Sequence, residues 1–152
     1  MEIIGKVTIY NKPVYSASVS DFTNLTNLEM PTSWSVILLV ADATSIDPEL
    51  IYAAASRLIE RGAIFVCTWG PDCERVHDIF DEADVGDGNS DPDDFIMTTW
   101  HTDDSLLEVV EFFLTCAFPL DWHLDECSWV AVTIGDSTPA SSVEKAIRLG
   151  LN

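Results

Sequence analysis

The sequence contains few basic residues. Lys and Arg number 7 against 26 Asp and Glu, which gives a formal net charge of -19 over 152 residues. A field of that sign repels phosphate backbones and anionic lipid, and it attracts cationic proteins. We therefore expect no direct binding to nucleic acid or to a membrane.

Long hydrophobic runs are also missing. The longest purely apolar runs are residues 36–41 and 50–55, far short of the roughly 20 residues that a membrane-spanning helix needs. Residues 1–6 show no basic region followed by an apolar stretch, so no secretory signal is expected. The four cysteines form no C-x-x-C pair. These features predict a cytoplasmic protein with reduced thiols.

Signatures of cofactor binding are absent. No G-x-G-x-x-G follows the first predicted strand of the repeated units, and no G-x-x-x-x-G-K-[ST] occurs. The hydroxyl-rich residues 135–142 are typical of a helix N-cap, and Asp136 there would oppose a phosphate. No cofactor is therefore predicted.

Two Cys/His pairs have the four-residue spacing that places both side chains on one helical face. They are Cys73/His77 and His123/Cys127. The ligand types suit zinc, but the spacing is not that of a known zinc motif, and Cys73 belongs to an apolar stripe. No metal site is assigned, although the sequence leaves both pairs open.

The chain has the apolar content that a folded core requires, with 47% hydrophobic and 10% aromatic residues. From residue 34 onward, strand-like runs alternate with helical periodicity. The predicted strands are residues 34–40, 63–69, 95–100 and 129–134, and each precedes a helix. Successive βα units predict a parallel sheet with helices on both faces.

We therefore predict a single α/β domain over residues 1–152, of the three-layer Rossmann-like or flavodoxin-like class. Its sheet is mainly parallel, with about four strands in the repeated units of residues 34–152. Residues 1–33 form an extension in which 7–10 and 14–19 could pair as an edge hairpin. Residues 24–32 are predicted to be a loop with a short turn.

A pocket is expected at the carboxyl ends of the parallel strands, where open α/β sheets bind ligands. Polar and aromatic residues follow those ends: Asp42, Trp69, Trp100, His101, Asp136 and Ser137. The alternative interpretation is that strand ends must become polar and that Trp often closes a core. Cys73 or Ser137 could join His101 and an Asp in a catalytic triad, but this pattern has poor specificity. Whether the protein is an enzyme stays open, and a non-enzymatic role is favoured.

Acidic residues are concentrated between Asp72 and Glu111, where Arg75 is the sole Lys or Arg. We call six of them the acidic face: Asp78, Asp81, Glu82, Asp91, Asp93 and Asp94. Three interpretations are available: a basic protein partner, calcium or magnesium at residues 84–94, or solubility alone. Residues 84–94 do not match the EF-hand pattern.

The sequence thus favours a small acidic interaction or inhibitory module, similar in kind to immunity proteins and antitoxins, that binds a basic protein partner. The alternative is a Rossmann-like domain that binds a small molecule or nucleotide at the carboxyl ends of the strands, with hydrolytic activity if the strand-end residues act together.

Overall fold

The computed structural model describes residues 1–7, 10–86 and 95–151. Six strands lie within these residues: β1 (Glu2–Val7), β2 (Lys12–Val19), β3 (Trp34–Ala41), β4 (Ala63–Trp69), β5 (Met97–Trp100) and β6 (Cys127–Ile134). Five α-helices accompany them: α1 (Phe22–Thr26), α2 (Pro48–Glu60), α3 (Cys73–Val85), α4 (Leu106–Thr115) and α5 (Ala140–Gly150). A 3₁₀ helix (Asp121–Glu126) precedes β6.

All six strands belong to one mixed, mostly parallel sheet with the order β1-β2-β6-β3-β4-β5. The prediction of an α/β fold is confirmed, but the sheet has six strands and not four, because β1 and β2 of the N-terminal extension add to the four strands of residues 34–152. Strand β2 pairs in parallel with β6 and so joins the main sheet. The sequence did not predict that β2 belongs to the parallel sheet, because the helix that follows it, α1, has only 5 residues and shows no extended helical pattern.

The N-terminal extension pairs as expected but in a different register. Strands β1 and β2 are antiparallel, with Glu2 opposite Ser16 and Lys6 opposite Pro13. The first strand therefore ends where the predicted strand of residues 7–10 begins. Within the described residues β1 occupies the sheet edge, while β2 lies inside the sheet.

The helices cover the two faces separately. Apolar side chains of α1, α2 and α3 pack on one face, together with Ile37 and Leu39 of β3. Those of α4 and α5 pack on the other, together with Val36 and Leu38. Because successive strand side chains point to opposite faces, β3 is apolar apart from Ser35 and is buried on both sides. The result is a three-layer arrangement.

Helix ends follow the local chemistry of the sequence. Asp47 caps α2 by accepting a hydrogen bond from the amide of Glu49 at 2.9 Å, with Pro48 at the first helical position. Ser105 and Glu108 form a capping box at the start of α4. Asp followed by Pro, and Ser followed three residues later by Glu, are sequences typical of helix N-termini. Helix α1 overlaps the segment predicted to be a loop.

None of the helices in the described part of the chain has the length and hydropathy that crossing a bilayer requires.

Candidate functional site

The carboxyl ends of the parallel strands align along one edge of the sheet. Val40 of β3 lies beside Trp69 of β4, and Ala41 of β3 lies beside Ile134 of β6. The predicted pocket residues all lie at or just beyond these ends: Asp42, Trp69, Trp100, His101, Asp136 and Ser137. They therefore share an edge, but they do not all face one another.

Asp42 forms local hydrogen bonds. Its Oδ1 accepts from the hydroxyl of Thr44 at 2.6 Å and from the amide of Thr44 at 3.0 Å. These bonds hold the pKa of Asp42 below its usual range. Asp136 and Ser137 are exposed in the turn after β6. This part of the edge presents separate polar groups at the surface.

The two tryptophans lie on opposite faces of the sheet. Trp69 packs on the α4–α5 side, and its Nε1 donates to the carbonyl of Asp104 at 2.8 Å. Trp100 contacts His77 of α3 on the other side, with ring centroids 4.4 Å apart. The two indoles therefore do not wall a shared pocket, and the hypothesis of a ligand site at this edge stays a prediction.

His101 joins β5 to the turn before α4. Its Nδ1 lies 2.8 Å from Asp104 Oδ2, and its Nε2 lies 2.9 Å from Thr99 Oγ1. The ring also packs against Phe112 of α4, with centroids 4.7 Å apart. Hydroxyl, imidazole and carboxylate follow the order of a catalytic relay. His101 is 9% exposed, and we interpret the group as a clamp that fixes the β5–α4 junction.

The acidic face is described in part. Asp78, Asp81 and Glu82 are exposed on α3. Together with Tyr52 of α2 they line an open groove of about 630 Å³. The other three predicted members lie outside the described residues: Asp91, Asp93 and Asp94.

Acidic side chains connect α3 to β5. Asp81 accepts a hydrogen bond from the hydroxyl of Thr98 and lies 3.5 Å from His77 Nε2. Asp84 accepts from the amide of Ile96 at 2.9 Å. Burial raises the pKa of Asp84, the nearby charge of Asp81 adds to this, and the bond from Ile96 opposes it. The carboxylates of α3 and the side chains of Thr98 and Trp100 thus lie on the same side of β5.

Positive charge is distributed away from this surface. No Lys or Arg occurs between Arg75 and Lys145. Arg75 itself is paired with Asp72 at 2.8 Å and donates to the carbonyl of Ala43. Arg57 of α2 is paired with Glu60, and Arg61 after α2 donates to the carbonyl of Leu28. The remaining four cations lie on β1, β2 and α5, at the far side of the sheet: Lys6, Lys12, Lys145 and Arg148.

A cavity of about 380 Å³ lies at the amino ends of the strands, opposite the predicted pocket. Its walls come from the first residues of three strands and from the segment after α4. They include Trp34, Ile64, Met97, Leu120, Trp122 and His123. The lining that the described residues provide is mostly apolar and contains no Asp, Glu, Lys or Arg.

His123 is the ionisable group of this cavity. It is 7% exposed and lies against Trp34 and Trp122, with ring centroids 4.3 and 3.7 Å away. Its Nδ1 is buried without a hydrogen-bond partner in the described part of the chain. Burial lowers the pKa of His123, which keeps the imidazole neutral near pH 7.

The sequence analysis missed this cavity because it expected a pocket at the carboxyl ends of the parallel strands. The available signal was a set of apolar residues at alternate positions after α4. These side chains are 46%, 54% and 65% exposed: Phe118, Leu120 and Trp122. Large exposed apolar groups so close together often mark a binding surface.

The Cys/His pairs do not converge into a larger ligand set. Among residues 1–7, 10–86 and 95–151, no group of three or more His, Cys, Asp or Glu side chains is arranged to hold a metal ion. Cys127 is buried in the core, and burial raises its pKa to about 12. A thiol in that state is a poor metal ligand, since metals bind the thiolate.

Residues 14–148 match the model of a family described as a domain of unknown function, DUF7684. The chain belongs to this family. No curated protein matches it.

Proposed function

We propose that the protein is a small acidic interaction or inhibitory module that binds a basic protein partner through the acidic face and the adjoining edge strand β5. The observation that carries this proposal is the position of Asp78, Asp81 and Glu82. They are exposed along an open groove, in a stretch of sequence without Lys or Arg. No Lys or Arg is among the described residues that line this groove, so a cationic partner would meet no repelling charge in its wall.

An exposed aromatic side chain beside the carboxylates supplies an anchor. Trp100 of β5 is 47% exposed. Within the described residues, β5 pairs only with β4, so its outer edge is unpaired. Protein interfaces commonly combine a central aromatic residue with a charged rim. Trp100 beside Asp78 and Asp81 has that composition.

The charge is expected to act mainly on the rate of association. Complementary potentials steer the encounter of two proteins, and salt screens the effect over about 8–10 Å at physiological ionic strength. The apolar contacts are expected to control dissociation instead. The two contributions can therefore be measured separately.

The test begins with a partner captured from the source cell and purified. Association rates are then measured by stopped flow for the wild type and for the triple variant Asp78→Asn, Asp81→Asn, Glu82→Gln. At low salt the variant is expected to associate roughly 3- to 30-fold more slowly, with a weaker salt dependence. Trp100→Ala is expected to raise the dissociation rate.

The matched control removes the same charge elsewhere. Glu2→Gln, Glu29→Gln and Asp125→Asn neutralise three exposed carboxylates on other parts of the surface. This control is expected to retain most of the wild-type association rate. Equal slowing in both triple variants would mean that net charge alone drives binding, and an unchanged rate in the first would remove the proposal.

A further inference from the structure

We propose that the cavity at the amino ends of the strands binds a small, neutral aromatic molecule that carries one hydrogen-bonding group. This site is independent of the acidic face and lies at the opposite end of the sheet from the predicted pocket. Its volume of about 380 Å³ falls within the range of small-molecule sites in proteins.

The lining defines the apolar part of the ligand. Trp34 and Trp122 meet edge to face, with ring centroids 6.1 Å apart, and both line the cavity with Phe118. Flat rings pack well against such walls in offset or edge-to-face geometry. An aromatic ligand therefore suits this cavity better than a branched aliphatic one.

The absence of charged side chains among the described lining residues restricts the charge that a ligand can carry. None of the described residues that line the cavity is a carboxylate or a cation, so an ion entering it would lose hydration without gaining a partner among them. The net charge of -19 further disfavours anions. A neutral molecule avoids both costs.

His123 supplies the polar contact. Its Nδ1 is buried and unpaired, and no described residue forms a hydrogen bond with its Nε2. A buried polar atom without a partner is uncommon, because its desolvation is uncompensated. In a neutral imidazole each ring nitrogen is either a donor or an acceptor, so a single hydroxyl or amide on the ligand would satisfy Nδ1 in either case.

Two other occupants fit less well. Residues 87–94 precede the cavity-lining Phe95, but they contain four Asp and no aromatic or aliphatic side chain apart from Pro92. A second copy of the chain would bring another charge of -19 to the same surface. Both considerations favour a separate small molecule.

The probe is 2-naphthol, followed by calorimetry and by the indole N–H signals in a ¹H–¹⁵N spectrum. We expect saturable binding at millimolar or lower probe concentration, with shifts at Trp34 and Trp122 and none at Trp69. The anion 2-naphthoate and the cation 2-naphthylmethylammonium are expected not to bind. Sedimentation at the same protein concentrations is expected to show no probe-dependent change in mass.

Two variants locate the site. Met97→Trp is expected to fill the cavity from its rim and to weaken 2-naphthol binding at least ten-fold. Leu149→Trp, at another exposed apolar position on α5, is the matched control and is expected to bind normally. His123→Phe is expected to weaken 2-naphthol binding about ten-fold while leaving naphthalene binding unchanged.

Several outcomes would overturn the proposal. They are absence of 2-naphthol binding, equal binding of the charged analogues, equal effects of Met97→Trp and Leu149→Trp, or closure of the cavity by a second copy. A His123→Phe variant that loses 2-naphthol and naphthalene equally would refute the hydrogen-bonding role.

Discussion

The two ends of the parallel strands differ in how their polar groups are satisfied. At the carboxyl ends, His101 binds both Thr99 and Asp104, and Asp42 binds Thr44. At the amino ends, His123 lies in an apolar cavity with an unpaired Nδ1. The carboxyl end also holds one buried hydroxyl without a partner in the described part of the chain, Thr133 Oγ1 of β6, but Thr133 lines neither the groove nor the cavity described above, whereas His123 lines the cavity.

This difference shows the limit of an argument from topology. Parallel sheets favour ligand sites at their carboxyl ends because loops and helix N-termini converge there. That rule does not say whether the polar groups already bind each other. An unsatisfied group beside a cavity is a more direct indication of a site than its position in the fold.

The largest expected effect concerns the close packing of β3 against the turn after β4, at the carboxyl ends of the strands. Gly70 has φ +114, and a Cβ there would lie 2.0 Å from the carbonyl oxygen of Ala41. Gly70→Ala combines backbone strain with a clash, and we expect a loss of about 3 kcal/mol or more in unfolding free energy. Urea denaturation measures this loss.

Gly135→Ala is the control at the same edge. Gly135 has φ +77, but its nearest neighbour to an added Cβ, the carbonyl oxygen of Ser20, is 3.8 Å away. Only the conformational cost of about 1–2 kcal/mol is expected there. If both variants lost the same stability, close approach of β3 and the β4 turn would not be the cause.

The second prediction compares the two histidines by one substitution. His101→Phe removes the partner of Thr99 and Asp104, and we expect a loss of about 1–3 kcal/mol in unfolding free energy. His123→Phe removes an unpaired imidazole from aromatic surroundings, and we expect a change between zero and a gain of about 1 kcal/mol. Urea denaturation of both variants at pH 7.5 provides the measurement. Equal losses would contradict the contrast between the two ends.

Most of the helices and strands could be predicted from the sequence because their short-range signals agreed with one another. The apolar run of β4, Asp47 with Pro48 before α2, and the Ser105–Glu108 capping box each specify an element through short-range chemistry. The parallel pairing of β2 with β6 was not accessible. It joins residues more than a hundred positions apart, and no local pattern records such a contact.

The site was harder to predict for a similar reason. Trp69 and Trp100 are the last residues of β4 and β5, but the alternation of side chains along the strands directs them to opposite faces of the sheet. The strand register determines the face on which each Trp side chain lies, and the register depends on strand pairing. For His123, the property that indicates a site is that its Nδ1 has no hydrogen-bond partner among the described residues. A sequence pattern carries no information about such a missing contact.

The smallest expected effect is the pH dependence of stability contributed by His123. Burial lowers its pKa from the ordinary 6.5, so the unfolded chain binds this proton more readily than the native protein. Stability is therefore lost as the pH falls through 6.5, and the loss levels off below the native pKa.

His123→Phe removes this linkage, so the contribution is isolated by subtracting the wild-type unfolding free energy from that of the variant. We expect the difference to be constant above pH 7.5 and to grow in favour of the variant as the pH falls through 6.5. Other titrating groups cancel in the subtraction if they are unaffected by the substitution. A difference that stayed flat from pH 7.5 to acid would mean that His123 is solvated in solution. The amino end would then lack the uncompensated imidazole that distinguishes it from the carboxyl end.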